Sequence, residues 1–291
     1  MSLVACSTAK DPEIVDEPYA NATITISGTS SNKIIEPKDV TITETYHSIQ
    51  DKRQYNTRVM PSTGTVNLLV LPILIPGYEE IDFDNNRRID NDQILKDLNE
   101  VFFGKGNEKS ESVASFYKKS SYGKLNIKGT VLDEWFDVSN ETKLRYESAA
   151  DIDIYNVQDI IEEALKYCED TLDMDLTEFD NDEDGYIDGV WCIYSCPNYT
   201  NGGPRTDYEN YWAYTSWGNQ VGGNPSVMHP IYNLYGWASY DFMYTTYGMN
   251  TLDARTYIHE TGHFLGLNDY YADASWYNPV GKSDMMDGNI M

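Results

Sequence analysis

The sequence predicts an α+β fold, and three stretches carry that prediction. The run V-N-L-L-V-L-P-I-L-I at 66–75 has the length and the apolar content of a buried strand. The segments Asp92–Phe103 and Val157–Glu169 repeat apolar residues at helical spacing, so each predicts an amphipathic helix. With 291 residues and 41% hydrophobic content, the chain can bury a sizeable core as one large domain or two small ones.

The first 60 residues differ in pattern from the rest of the chain. Residues 1–20 are expected to be a tether, since residues 7–20 are polar and charged and contain two prolines. Residues 21–60 include alternating stretches such as A-T-I-T-I-S, which predict β-strands. They form either a separate β-rich or pro-like segment or edge strands of the main domain, which we assign to residues 61–291.

The main domain is expected to contain further elements between and after these three stretches. They are a helix from Ser112 to about Lys119, a strand after the turn at Gly123, a strand at Gly189–Cys196, and a helix at roughly Leu252–Leu265. The intervening residues 197–250 are rich in Gly, Asn, Tyr and Trp, so we expect them to be mostly loop.

The charge balance is strongly acidic. There are 21 Lys+Arg against 47 Asp+Glu, a net charge of −26. Such a surface repels phosphate backbones and anionic lipids, which argues against nucleic acid as a partner. No run approaches the roughly 18 apolar residues of a membrane helix. We expect a soluble, extracellular monomer that binds divalent cations and acts on protein or peptide partners.

Cysteine usage is sparse. Four cysteines in a chain of 291 residues do not make a disulfide scaffold. Cys168 could bridge to Cys192 or Cys196, or all three could be buried free thiols. The start V-A-C-S, preceded by Leu3, resembles the end of a bacterial lipoprotein signal, so Cys6 is a candidate lipid anchor.

The most informative stretch is H-E-T-G-H-F-L-G-L-N-D at 259–269. His259 and His263 are four residues apart, so on a helix they share one face and can bind one Zn²⁺. Glu260 beside them can serve as general base for a zinc-bound water.

A third ligand is expected just after the helix. Gly266 stands where helices commonly end with a residue at positive φ. A turn there would return the chain so that Asp269 could join the two histidines. Three protein ligands with one open position are the catalytic arrangement of zinc.

The spacing H-E-x-x-H-x-x-G-x-x-D resembles the metzincin type of zinc peptidases, with Asp in place of the usual third His. That class also has a methionine turn below the metal. The stretch S-D-M-M-D-G at 283–288 supplies one, and its match to the form D-x-M-D favours Met286 over Met285. Met286 would then be an apolar floor under the zinc rather than a ligand.

Four motifs occur in a fixed order and extend this resemblance. They are S-V-A-S-F-Y-K-K-S-S-Y-G-K-L at 112–125, D-N-D-E-D-G-Y-I-D-G-V at 180–190, the histidine motif and D-M-M-D-G. Together they resemble secreted bacterial metallopeptidases of the immune-inhibitor-A type over residues 66 to 288. The resemblance implies a metzincin-like fold with a twisted mixed sheet, packed helices and a cleft over the zinc. It also implies endopeptidase activity on extracellular proteins.

The acidic motif has the spacing of a calcium loop. Asp180, Asp182, Asp184 and Asp188 stand at offsets 1, 3, 5 and 9, and Tyr186 would offer its carbonyl at offset 7. Position 12 lacks the Glu of a complete EF-hand loop, so another carboxylate or a water would complete the shell. The alternative is a solvated acidic turn.

Two further interpretations of the whole chain stay open. The chain could be a cell-surface lipoprotein that keeps a peptidase fold for binding or adhesion, although the intact Glu260 argues against that. It could also be a zinc hydrolase of a glycan or a small amide. The aromatic stretch 199–250 could line a substrate cleft or pack as loops, and its His229 could approach the active site or be an ordinary histidine.

Overall fold

The chain divides into two compact units, Met1–Asp51 and Lys52–Met291. The computed structural model describes residues 25–26, 40–41, 58–79, 91–107, 110–138, 148–152, 156–204, 211–218, 226–244, 252–270 and 284–287. In the first unit, strand β1 (Thr25–Ile26) pairs antiparallel with β2 (Val40–Thr41). The predicted tether at 1–20 and most of the segment 21–60 lie outside the described residues, so the predicted domain limits stay predictions.

The second unit is built on a mixed sheet. The strands of this unit are β3 (Gly64–Leu74), β4 (Leu125–Val131), β5 (Phe136–Asp137), β6 (Tyr186–Ile187), β7 (Val190–Tyr194), β8 (Tyr214–Trp217), β9 (Ile231–Tyr232) and β10 (Leu234–Ser239). The main sheet has the order β4-β3-β7-β10-β8, with β5 beside the end of β3. Its pairs are parallel except for β10 and β8, which are antiparallel. Strands β6 and β9 form a separate parallel pair.

Strand β3 is central and tolerates a proline for a specific reason. Proline has no N–H to give to a ladder and is rare inside sheets. On one side β3 pairs with β4 as far as Val70 and with β5 only from Ile73. Pro72 therefore lies where the neighbouring strand is interrupted.

Helices cover both faces of the sheet. They are α1 (Asn91–Phe103), α2 (Val113–Ser120), α3 (Val157–Asp170) and α4 (Arg255–Phe264). Leu69 and Leu71 of β3 belong to the core that contains the apolar face of α3. Leu68 and Val70 belong to the core that contains residues of α1, α2 and α4. The strand therefore alternates between two cores, as its period of two residues requires.

The predicted helices lie close to those observed, but the expectation that residues 197–250 are mostly loop missed three strands. This region holds β8, β9 and the central strand β10, which is buried at every position. A strand buried on both faces shows no alternation of polar and apolar residues, so L-Y-G-W-A-S carries no strand period. Aromatic and small side chains fill this part of the core.

Two smaller expectations concern cysteines and membranes. Cys168, Cys192 and Cys196 are buried free thiols, so the bridge considered for Cys168 is absent among them. Among the described residues, no helix combines the length and the apolar content needed to cross a membrane.

Candidate active site

Helix α4 carries the histidine motif and is fixed firmly on the sheet. Trp191 of β7 stacks on Phe264 with ring centroids 5.4 Å apart and meets Tyr257 edge-on at 5.7 Å. Its indole N–H also donates to the Thr261 hydroxyl at 3.2 Å. From the neighbouring helix α2, the Tyr117 hydroxyl donates to the Ile258 carbonyl at 2.6 Å. The helix that presents the histidines is thus held from two sides.

Both histidines are oriented by backbone carbonyls. The Nδ1 of His259 lies 2.8 Å from the carbonyl oxygen of Met285. The Nδ1 of His263 lies 2.8 Å from the carbonyl oxygen of Leu267. When Nδ1–H donates in this way, Nε2 carries the free lone pair, which is the usual arrangement of a histidine that binds a metal.

The chain reverses directly after α4. The Gly266 N–H donates to the His263 carbonyl, and the Leu267 N–H donates to the Gly262 carbonyl, at 2.9 and 3.0 Å. Gly266 has φ +85°, so the helix ends in a Schellman motif that a residue with a side chain adopts only at a cost. The reversal brings Asp269 back to the histidines.

Asp269 completes a cluster of three ligand atoms. Its Oδ1 lies 3.1 Å from Nε2 of His259 and 3.2 Å from Nε2 of His263. Two ligands about 2.0–2.1 Å from a tetrahedral zinc stand about 3.3 Å apart. One ligand atom from each of the three residues lies within 4.8 Å of the others. The spacing and the donor types therefore fit a zinc ion.

The three side chains of the cluster shift one another's pKa values. Burial alone would raise the pKa of Asp269, but its close contacts with His259 and His263 outweigh burial and hold that pKa well below its ordinary value. Burial alone would lower the pKa of His259 and of His263. The contact with Asp269 outweighs burial, so the pKa of each histidine lies above its ordinary value. The carboxylate is thus held in its charged form, as a metal ligand must be.

Glu260 lies beside the cluster in the wall of a cleft. Its Oε2 is 4.0 Å from Nε2 of His263, and its side chain is 6% exposed. Burial raises its pKa, and His263, His259 and the Thr215 hydroxyl oppose only part of that rise. The cleft has a volume of about 320 Å³, and Glu260, His263, Asp269, Asn268 and part of β8 line it.

The methionine turn packs against α4 from below. Met286 is 1% exposed, and a Cβ on Gly262 would collide with its sulfur. The Met286 N–H donates to Asp284 at 2.9 Å, and the Met286 carbonyl accepts from the Tyr270 N–H at 2.8 Å. The turn therefore contacts the helix and the segment that carries Asp269.

The acidic loop brings together only three of the side chains that the sequence proposes as calcium ligands. Carboxylate oxygens of Asp180, Asp182 and Asp184 lie within 4.8 Å of one another. Asp188 instead accepts hydrogen bonds from the backbone and side-chain amides of Asn181, both at 2.7 Å. Burial raises the pKa of Asp188 to about 7, and these hydrogen bonds oppose the rise.

Residues of the aromatic stretch 199–250, and the candidate anchor Cys6, lie in different places. Trp217 of β8 lines the cleft, whereas Tyr211 and Trp237 belong to the core below the sheet. His229 closes a turn with Ser226 and is not part of the cleft lining. Cys6 lies outside the described residues.

Sequence reasoning missed Thr215, whose hydroxyl donates to the Glu260 carbonyl at 2.9 Å. It also missed Arg58, which contacts Asp184. Neither residue belongs to a local motif, since each acts through a partner far away in the chain.

The family comparison agrees with this geometry. Residues 79–289 match the model of the immune inhibitor A peptidase M6 catalytic domain. A comparison with curated proteins gave no match. The matched span runs from before α1 to the end of the methionine turn and contains His259, Glu260, His263 and Asp269. It covers well over half of the 291 residues and confirms the resemblance found in the sequence. The chain therefore belongs to the immune inhibitor A peptidase M6 family of metallopeptidases.

Proposed function

We propose that this peptidase is a zinc endopeptidase of the metzincin type that cleaves extracellular proteins. The observation that carries the proposal is the spacing of His259, His263 and Asp269, with Glu260 beside them in the wall of the cleft. Two neutral imidazoles and one carboxylate are a common ligand set of catalytic zinc, and they leave a position open. A zinc ion held there would polarise a water molecule and the carbonyl of the scissile bond.

Glu260 acts as the general base. It accepts a proton from the attacking water and returns it to the leaving amine. Its burial and raised pKa favour this exchange, because a carboxylate with an ordinary pKa is a weaker base. The Thr215 hydroxyl holds the backbone carbonyl of Glu260, which supports the position of the base.

The substrate binds as an extended peptide along β8. This strand ends the order of the main sheet among the described residues, and it contributes Tyr214, Thr215 and Trp217 to the cleft. A peptide that pairs with a strand is held through its backbone, without dependence on its sequence. This supports an endopeptidase rather than a hydrolase of a glycan or a small amide.

Met286 is the methionine of the metzincin type. Its burial against Gly262 and the contact of its neighbour Met285 with His259 support that role. It contributes apolar packing below the ligands and does not bind the metal.

Calcium is proposed for the acidic loop. The closeness of three carboxylates supports it, because like charges this near repel one another unless a cation lies between them. We propose Asp180, Asp182 and Asp184 as ligands, with Asp188 and the Tyr186 carbonyl joining when the ion binds.

The protein is proposed to act outside a bacterial cell, as a secreted or lipid-anchored monomer. The acidic charge supports an extracellular location, and the motif at Cys6 supports the anchor. Expression of the Cys6→Ala variant in a lipoprotein-processing host tests the anchor, since the variant should leave the membrane fraction. If the distribution is unchanged, the anchor proposal fails.

Metal analysis with a cleavage assay tests the main proposal. We expect about one zinc per chain and hydrolysis of casein or library peptides that a chelator abolishes and zinc restores. A protein that binds zinc and a protein partner but cleaves no peptide would support the adhesion alternative. Cleavage of amidated sugars in preference to peptides would support the small-amide alternative.

A further inference from the structure

A short segment at 58–60 contacts strand β8 and the end of helix α4, although it lies outside the matched residues 79–289. The carbonyl of Arg58 accepts the indole N–H of Trp217 at 2.7 Å. The N–H of Met60 donates to the carbonyl of Phe264 at 2.7 Å. Trp217 belongs to the β8 wall of the cleft, and Phe264 directly follows His263.

The side chain of Arg58 anchors this segment to the acidic loop. Its Nη1 lies 2.6 Å from Oδ2 of Asp184. Its guanidinium lies 4.2 Å from the ring centroid of Tyr186. The salt bridge is partly exposed, with side-chain exposures of 39% and 29%, so the ion pair alone is a weak restraint. The aromatic contact adds a second restraint on the same group.

The backbone of Arg58 is held at a third point. Its N–H donates to Oδ1 of Asn233 at 3.2 Å, and Asn233 is 3% exposed. The Asn233 side-chain amide donates to the Gly218 carbonyl at 2.9 Å, and the Asn233 carbonyl accepts the Gly218 N–H at 2.6 Å. Gly218 follows Trp217, so Arg58 and Asn233 together hold the end of β8.

These contacts restrict the indole of Trp217. The ring is half-buried and lines the cleft together with Glu260. Rotation of the ring away from its position would break the hydrogen bond to the Arg58 carbonyl. An aromatic ring held in one orientation offers apolar contact to a substrate with little loss of conformational entropy on binding.

We propose that Arg58 is a positioning residue of the substrate cleft. It fixes Trp217, and Trp217 forms an apolar subsite that favours an aromatic or large aliphatic side chain of the peptide beside the scissile bond. The inference rests on the proposed endopeptidase function. A positioning role differs from a purely structural role in what a substitution changes. Loss of Arg58 should alter substrate binding and selectivity rather than the chemical step.

Four variants test this inference: Arg58→Ala, Arg58→Lys, Trp217→Phe and the double variant Arg58→Ala/Trp217→Phe. Phe keeps an aromatic ring but lacks the N–H donor, and Lys keeps a cation near Asp184. Arg255→Ala is the matched control, because it removes an exposed Arg–Asp pair with Asp253 at the start of α4. Zinc content is measured for each protein.

Kinetics on the best library peptide give the first result. Arg58→Ala and Trp217→Phe should each raise KM about tenfold with kcat within about twofold and should weaken the preference for an apolar side chain. Arg58→Lys should recover most of the KM. The double variant should be no worse than the poorer single variant, since both changes remove one coupling. Additive effects, a fall of kcat alone, or the same change in Arg255→Ala would overturn the proposal.

Hydrogen–deuterium exchange gives a result that does not depend on activity. Arg58→Ala and Trp217→Phe should raise exchange in the peptide Tyr211–Gly218, and Arg255→Ala should not. Unchanged exchange there overturns the inference even if the kinetics shift. If the wild-type protein with zinc cleaves no peptide, the endopeptidase proposal fails, whereas the exchange experiment still decides whether Arg58 fixes β8.

Discussion

The Nδ1 of His259 lies 2.8 Å from the carbonyl oxygen of Met285. This contact joins the first histidine of α4 to a turn 26 residues later in the chain. The turn is itself closed by Asp284, whose Oδ1 accepts the N–H of Met286 at 2.9 Å. The methionine turn therefore packs below the cluster and also sets the ring orientation of one ligand.

Removal of the Asp284 acceptor should weaken metal binding without removing a ligand. We expect Asp284→Ala to lower zinc affinity up to about tenfold, the low end of the effect of losing a partner that orients a metal ligand, because Asp284 holds the turn whereas the Met285 carbonyl contacts His259. Asp284→Asn keeps an oxygen at the same place and is the matched control. Competition with a chromogenic chelator measures the affinity. Equal affinities of the Ala variant and the wild-type protein would show that the turn does not orient His259.

Replacement of the base should stop cleavage and spare the metal. Glu260→Gln keeps the size of the side chain but cannot accept the proton. We expect kcat to fall at least about a hundredfold, with zinc content unchanged. Cleavage near the wild-type rate would exclude Glu260 as the base, and loss of zinc would show that Glu260 has a role in the metal site.

Removal of the carboxylate ligand should release zinc more easily. Asp269→Ala deletes the oxygen that lies within 3.2 Å of both imidazoles. We expect markedly lower zinc occupancy after mild chelation, measured by elemental analysis. Asp170→Ala, which removes an exposed carboxylate on α3, should behave like the wild-type protein. Full occupancy of the Asp269 variant would mean that another carboxylate is the third ligand.

A side chain at Gly262 should strain the contact between α4 and the methionine turn. A Cβ there meets the sulfur of Met286. We expect Gly262→Ala to lower the free energy of unfolding by about 1–3 kcal/mol, as overpacking of a core does. Denaturant titration measures the change. In Gly262→Ala/Met286→Ala the strain should be relieved, so the two losses should not add. Additive losses would argue against this contact as the cause.

Calcium should stabilise the folded protein through the acidic loop. A low dose of EGTA should lower the melting temperature, and calcium should restore it, because the ion binds the folded loop better than the unfolded chain. Asp182→Ala should remove most of this response while the ion pair of Arg58 with Asp184 is kept. Asp170→Ala is the control, and zinc content is followed throughout. Melting curves indifferent to calcium would identify the loop as a solvated acidic turn.

The sequence by itself determined the local features of this protein. Three such features depend only on neighbours along the chain. They are the 3.6-residue period of Val157–Asp170, the four-residue spacing of His259 and His263, and the positive φ of Gly266. The family also followed from such motifs, because the residues that carry the chemistry lie close together in sequence.

Only the tertiary structure decided which distant groups meet. Strand β10 was missed because burial on both faces removes the alternation that marks a strand. The carbonyl of Met285 that orients His259 belongs to a backbone group, and every residue has one, so no side-chain pattern announces it. The contact of Arg58 with Trp217 spans 159 residues, and it forms only because the fold brings β8 and the start of the second unit together.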